Sequence, residues 1–243
     1  PFTEPCVHSM GSVRIYMSAF PGEKKVFCRS LGLDPGKVAW KGMGSPFKPE
    51  NRRVCVAAAG SMSKRNIEES FGSFARIVSK ILDTHPNERG IIHCNSYQLG
   101  SRIVSVLSNS DHATRMLFPK NATEREAAFT QHAASQNSVI VSPSMTEGFD
   151  FADDLARWQI IAKVPYPSLG DAQVVAKKDQ ERDWYALQTI MAIVQASGRI
   201  CRNEKDKGIT YILDADFNRL YDNNQHLFPT WWMDSVKWPK ISP

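Results

Sequence analysis

The sequence predicts an α/β fold, a mostly parallel central sheet flanked by helices. Three observations predict it. Short apolar runs rich in β-branched residues recur along the 243 residues. Longer stretches of helical period separate them, and several runs are apolar at every position, as strands covered on both faces must be. The length suits one large α/β unit, and neither an internal repeat nor a linker divides it.

Taken in order, the expected strands are residues 13–18 (VRIYMS), 54–58 (VCVAA), 90–94 (GIIHC), 138–142 (SVIVS), 159–164 (QIIAKV) and 209–214 (ITYILD). Between them, residues 66–83 place Ile67, Phe71, Phe74, Ile77, Val78, Ile81 and Leu82 at helical spacing, and 99–107 repeat the pattern on a shorter scale. Thr123-x-x-Glu126 reads as a capping box opening a helix through about Ser135. Residues 183–202 form a long amphipathic stretch stopped by polar residues and Gly208. Residues 42–53 (GMGSPFKPENRR) and 165–171 (PYPSLGD) carry paired prolines and glycine and read as loops. Trp231, Trp232 and Trp238 in the tail, 228–243, suit aromatic packing across the sheet edge or helices.

Composition narrows the class. A hydrophobic content of 42% and charged content of 23%, with 14 Gly and 14 Pro, are those of a folded soluble domain and exclude collagen-like and disordered chains. No apolar run nears the ~18 residues of a membrane span, and residues 1–11 lack a signal-peptide pattern. Five dispersed cysteines without a C-x-x-C pair suggest reduced thiols and an intracellular location, in the cytoplasm, nucleoid or nucleus. A formal charge of +5 permits a polyanionic partner.

The chemistry concentrates in three segments. In Gln195-Ala-Ser-Gly-Arg-Ile-Cys-Arg202, a continuous helix would set Arg199 about 40° from Gln195 and Arg202 about 20° away on the other side, on one narrow face. Gly198 beside Arg199 would let another backbone or a ligand approach. Two guanidiniums beside an amide suit a phosphate, and equally a solvated or salt-bridged helix face. The second segment, Ser144-Met-Thr-Glu-Gly-Phe-Asp150, follows an expected strand, where open α/β sheets bind ligands. There Glu147 and Asp150, with Thr146 and Gly148, suit a ribose hydroxyl, a water or the two arginines better than a phosphate, and Asp150 also suits a helix cap. In the third, Cys94-Asn-Ser-Tyr-Gln98, Ser96 and nearby N–H groups could receive a phosphate oxygen while Tyr97 stacks on a base. No P-loop, D-E-x-H run, zinc-protease motif or metal-binding cysteine cluster occurs, and the six dispersed histidines read as structural.

These segments, in this order, resemble the second RecA-like motor domain of superfamily 2 helicases, in particular the XPD/DinG family of DNA helicases. Met17-Ser-Ala-Phe-Pro21 resembles motif III, with Phe20 replacing the usual Thr and leaving Ser18 as its hydroxyl. Ser45-Pro-Phe47 with Glu50-Asn-Arg52 resembles the stretch after it. Gly90 to Tyr97 resembles motif IV, Thr146 to Phe151 motif V, and Gln195 to Arg202 with Asp206 and Gly208 motif VI. Pro165 to Asp171 and Pro229-Thr-Trp231 resemble the family's proline-rich segment and closing Pro-x-Trp.

The resemblance implies one RecA-like domain over 1–243, with 1–21 an entry segment and 228–243 a Trp/Pro-rich tail. It implies half of a shared ATP site. A first domain, in the same protein or in trans, would hold ATP and Mg²⁺ on its P-loop and carry any iron–sulfur cluster. Arg199 and Arg202 would contact the γ-phosphate and transition state, positioned by Gln195. Glu147, Gly148, Asp150, Gly198 and Ser18 would couple nucleotide state to grip on single-stranded DNA, which Ser96, Tyr97 and Thr146 would face. Movement would run 5′ to 3′, and the chain alone would be inactive. The missing P-loop and the entry at motif III suggest a domain excised from a longer protein. A non-catalytic nucleic-acid-binding module derived from a helicase is the competing reading, and an unrelated nucleotide-dependent α/β enzyme a third.

Overall fold

The computed structural model describes residues 11–143, 151, 153–181 and 183–238. Seven strands among them, β1 (Arg52–Gly60), β2 (Gly90–His93), β3 (Met116–Leu117), β4 (Val139–Ser142), β5 (Trp158–Ile161), β6 (Gly208–Asp214) and β7 (Val236–Lys237), form one sheet in the order β3-β4-β2-β5-β6-β1-β7. Every pairing is parallel. Each residue of β2, β4 and β5 is buried, as a strand covered on both faces requires.

The helices are α1 (Lys24–Ser30), α2 (Ile67–Thr84), α3 (Tyr97–Leu107), α4 (Ala122–Ala134), α5 (Ala172–Gln180), α6 (Trp184–Ser197), α7 (Asp216–Asn224) and α8 (Thr230–Met233). The two-residue period of the strands separates two cores. On one face Phe74, Val78 and Leu82 of α2 and Leu99, Ile103 and Leu107 of α3 pack on Ile92, Val141, Trp158 and Ile160. On the other, Leu187, Ile190 and Ile193 of α6 and Phe217 of α7 meet Val54, Val56, Ile161 and Ile212. A satellite of Ile91, Ile140, Phe151, Ala156 and Ile200 extends this second face below α4. The tail closes the edge as expected: Trp232 is buried and donates from Nε1 to Ser197 Oγ at 2.7 Å, and Trp238 lies 6.0 Å from Phe217.

Four expectations need correction. Residues 13–18 are not a strand. Val13, Ile15 and Met17 are each at least 80% exposed, because no described strand pairs with them, and the chain enters the core only at Phe20. The α4 cap lies two residues earlier than expected. Asn121 accepts from the Glu124 N–H at 2.9 Å, and the Glu124 carboxylate accepts from the Lys120 N–H at 2.7 Å. Strand β5 stops at Ile161, after which the Val164 N–H turns to the buried Asp214 carboxylate. Finally, α6 ends at Ser197, and Gly198–Ile200 tighten into a 3₁₀ turn that buries Ile200.

Candidate functional site

The carboxyl ends of β2, β4 and β5 meet the last turn of α6 around a cavity of about 170 Å³. His93, Asn95, Pro143, Ile161 and Lys163 line it from the strands, and Gln195, Ala196 and Arg199 from the helix. Its volume is below the roughly 300–1,000 Å³ of pockets that enclose a whole ligand, so these residues make one wall of a site rather than a container. Asn95 takes a left-handed backbone, φ 59°, which asparagine tolerates better than most residues and which turns the chain from β2 into α3.

Gln195 and Arg199, four residues apart, reach the same cavity because they span one helical turn. Arg202 does not share their face. Cys201 is extended (φ −141°, ψ 96°), and the Arg202 N–H donates to Asp206 at 3.0 Å, leaving the exposed Arg202 side chain on a separate loop. The expected single face assumed a helix through residue 202, whereas α6 ends at Ser197 with Gly198 as its cap and the chain is extended by Cys201. Asp206, fully buried, also pairs with Arg157 at 2.6 Å and accepts from the Asp153 N–H at 3.3 Å. At Gly198 an added Cβ would meet nothing within 4 Å and φ is ordinary, so no close approach among the described residues requires this glycine.

Thr146, Glu147, Gly148 and Asp150 lie outside the described residues. Ser96 is the N-cap of α3, accepting from the Leu99 N–H at 3.2 Å, and Tyr97 beside it is 45% exposed with its ring 6.3 Å from Phe118. Ser18 is exposed and accepts from the Phe20 N–H at 3.3 Å, while Phe20 itself is buried in the α6 core.

Three polar lining residues were not singled out as site residues in the sequence: His93, Asn95 and Lys163. His93 ends β2, and its Nε2 lies 2.9 Å from the Gln159 Oε1. Burial, together with the positive charge of Arg199, lowers its pKa to about 4, so the ring is neutral at physiological pH. The signal for it was a lone polar side chain closing the apolar run GIIH. The other buried histidines fit the structural expectation: His85 bonds Glu88 and Tyr211, and His132 bonds Ser138 and Leu155. Cys28, Cys55, Cys94 and Cys201 are free thiols. Among the described residues no group of three or more His, Cys, Asp or Glu could hold a metal, and no helix is long and apolar enough to cross a membrane.

A fully parallel sheet flanked by helices, with an amide and a guanidinium lining a cavity at its carboxyl edge, is an α/β domain of the class that binds ligands at its strand ends. Residues 78–235 match the model of the Helicase C-terminal domain, and the chain belongs to that family, as the C-terminal domain of an XPD/DinG-like helicase. It is 25% identical over 217 residues to the regulator of telomere elongation helicase 1 homolog of Caenorhabditis elegans, covering 73% of this chain and 21% of that protein. It is 24% identical over 208 residues to the ATP-dependent DNA helicase YoaA of Haemophilus influenzae, covering 82% of this chain and 31% of that one. The chain thus spans a fifth to a third of the length of these two relatives. Apo XPD shares the fold, with a TM-score of 0.63 at 16% identity over 86% of this chain and 45% of that one. The sheet is RecA-like, as expected.

Proposed function

We propose that this chain is the second motor domain of an ATP-dependent DNA helicase or translocase, moving 5′ to 3′ on single-stranded DNA and inactive without a P-loop domain. One observation carries the reading: Gln195 and Arg199 converge with Lys163 on a cavity at the strand ends that is too small to enclose a nucleotide. A site with two cationic side chains and one wall suits a phosphate presented by a second domain.

In this reading ATP sits on the first domain and domain closure brings its γ-phosphate to Arg199. Water attacks the γ-phosphorus, the bond to the bridging oxygen breaks, and charge grows on that oxygen as ADP leaves. The Arg199 guanidinium, half-buried and set by the α6 terminus, stabilises that charge without reorganising, an effect of about 10³–10⁵ in comparable enzymes. Gln195 orients the site. Arg202 joins on closure from its own loop, whose backbone Asp206 fixes. Glu147, Gly148 and Asp150, with Gly198 and Ser18, relay nucleotide state to Ser96, Tyr97 and Thr146 on the single strand. Mg²⁺ would polarise the phosphates. In this reading it and any iron–sulfur cluster belong to the first domain.

In the intact two-motor protein, Arg199→Ala should lower DNA-stimulated ATP turnover by about 10³-fold while nucleotide binding persists. Near-normal turnover would overturn the arginine's role. Salt-dependent single-strand binding indifferent to ATP in that protein would instead favour the non-catalytic binding module.

A further inference from the structure

Beneath α6 the sheet carries a buried polar row on adjacent strands, His93 of β2, Gln159 of β5 and Thr210 of β6, with the buried Ser142 and Asp214 beyond its ends. Gln159 is wholly buried, and its Nε2 donates to the Ala196 carbonyl at 2.9 Å and to Thr210 Oγ1 at 2.8 Å. A carbonyl only accepts, so the amide has one orientation and its Oε1 must face His93, 2.9 Å away. His93 therefore donates from Nε2. Its neutral ring is locked in the Nε2–H tautomer, with Nδ1 a buried acceptor that no described group satisfies.

The two ends of this row reach different parts of the proposed machine. Ala196 lies in the last turn of α6, between Gln195 and Arg199, and helix-end carbonyls need partners from outside the helix. His93 is the last residue of β2, three before the Ser96 cap and Tyr97. Its own carbonyl accepts from the Ala162 N–H at 3.0 Å, which ties β2 to the end of β5 beside Lys163. A shift of the Ser96–Tyr97 turn must move His93, and a shift of His93 must move the carbonyl that sets the height of Arg199, or break a buried hydrogen bond.

We infer that His93 and Gln159 are positioning residues, a buried relay that couples the Ser96–Tyr97 turn to the placement of Arg199. The inference rests on the two-motor helicase reading. In this role the relay acts through Arg199 and the Ser96–Tyr97 turn. It sets where the α6 terminus stands when the single strand is engaged, and a displacement of about 1 Å there is enough to cost up to 10²-fold in rate.

The test uses the intact two-motor protein and an oligothymidylate strand. His93→Leu removes the donor, and His93→Gln keeps an Nε2 donor at the same reach. His93→Leu should lower the DNA-stimulated kcat at least about tenfold with the KM for ATP little changed, and His93→Gln should recover most of it. A merely structural histidine would lower the active fraction without this split or this rescue. Wild-type stimulation in His93→Leu, or a glutamine variant as defective as the leucine one, overturns the relay. Should His93→Leu not fold, the nitrogen spectrum of the wild-type His93 ring decides: an Nε2–H tautomer that shifts on adding the strand supports the relay, and an unchanged signal overturns it. Stimulated turnover in wild type that Arg199→Ala abolishes, beside a normal His93→Leu, defeats the relay alone, whereas a wild type without stimulated turnover defeats the helicase reading and the relay together.

Discussion

Replacing Gly90 by alanine would set a methyl carbon 2.2 Å from Cε2 and 2.4 Å from Cζ2 of Trp158. Both are at least 1 Å short of the 3.4 Å at which ordinary contact begins. Trp158 is fully buried, stacked on His85 with centroids 5.5 Å apart and bonded through Nε1 to the Glu88 carbonyl at 3.3 Å, so its ring has nowhere to retreat. The backbone of Gly90 has an ordinary negative φ, which leaves sterics as the whole cost, and overpacking of this size destabilises by about 3 kcal/mol. Urea unfolding followed by circular dichroism should show the midpoint of Gly90→Ala lowered by roughly 1 M. Trp158→Val removes the whole ring, including the Cδ2, Cε2 and Cζ2 atoms that overlap, so in that background the alanine should cost less than about 1 kcal/mol, a coupling of about 2 kcal/mol. Additive effects of the two changes would refute the steric account.

Stability should also depend on pH through His93. Its ring protonates near pH 4 when folded and near 6.5 when unfolded, so below 6.5 the unfolded chain takes the proton first. Stability therefore falls as pH drops from 6.5, by about 3 kcal/mol in all, and levels off below 4. Urea titrations from pH 7 to 4 should be flatter for His93→Gln than for wild type, and equal slopes would exclude the buried neutral ring. Asp206→Ala strips Arg157 of a buried partner and frees the Arg202 and Asp153 backbones, at about 3 kcal/mol in the same unfolding assay. A loss below about 1 kcal/mol would mean that Asp206 acts as an exposed pair does.

Much of this architecture is legible in the sequence where elements are long or fully buried. The runs GIIH and VIVS read as covered strands and are ones, and the spacing of Phe74, Val78, Ile81 and Leu82 reads as one helix face and is one. Strands β3 and β7 have two residues each, too few to show a period, and exist because neighbours supply their ladders. Residues 13–18 show the converse: a strand pattern without a partner strand remains extended and exposed. At the site, Gln195 and Arg199 are legible because one helical turn joins them, whereas Arg202 is not, since the helix stops at Gly198 and the chain is extended by Cys201. Gln159 and His93 were visible as polar letters in apolar runs, but their meaning depends on β5 lying beside β2 and under α6, a matter of strand order that spacing does not carry.

That strand order also bears on how the chain is made. β1 pairs only with β6 and β7 among the described strands, and its Arg52 meets Gly208, about 150 residues later. During synthesis at about 5–20 residues per second, β2, β3, β4 and β5 can assemble as they leave the ribosome while β1 waits roughly 8 to 30 seconds for its neighbours. Through that interval Val54 and Val56 lack Ile212, Phe217 and Trp232, with which they share one core in the finished domain. A nascent chain halted before Gly208 would hold a four-stranded centre and an orphan strand, so this is the stage at which a holding chaperone would matter most.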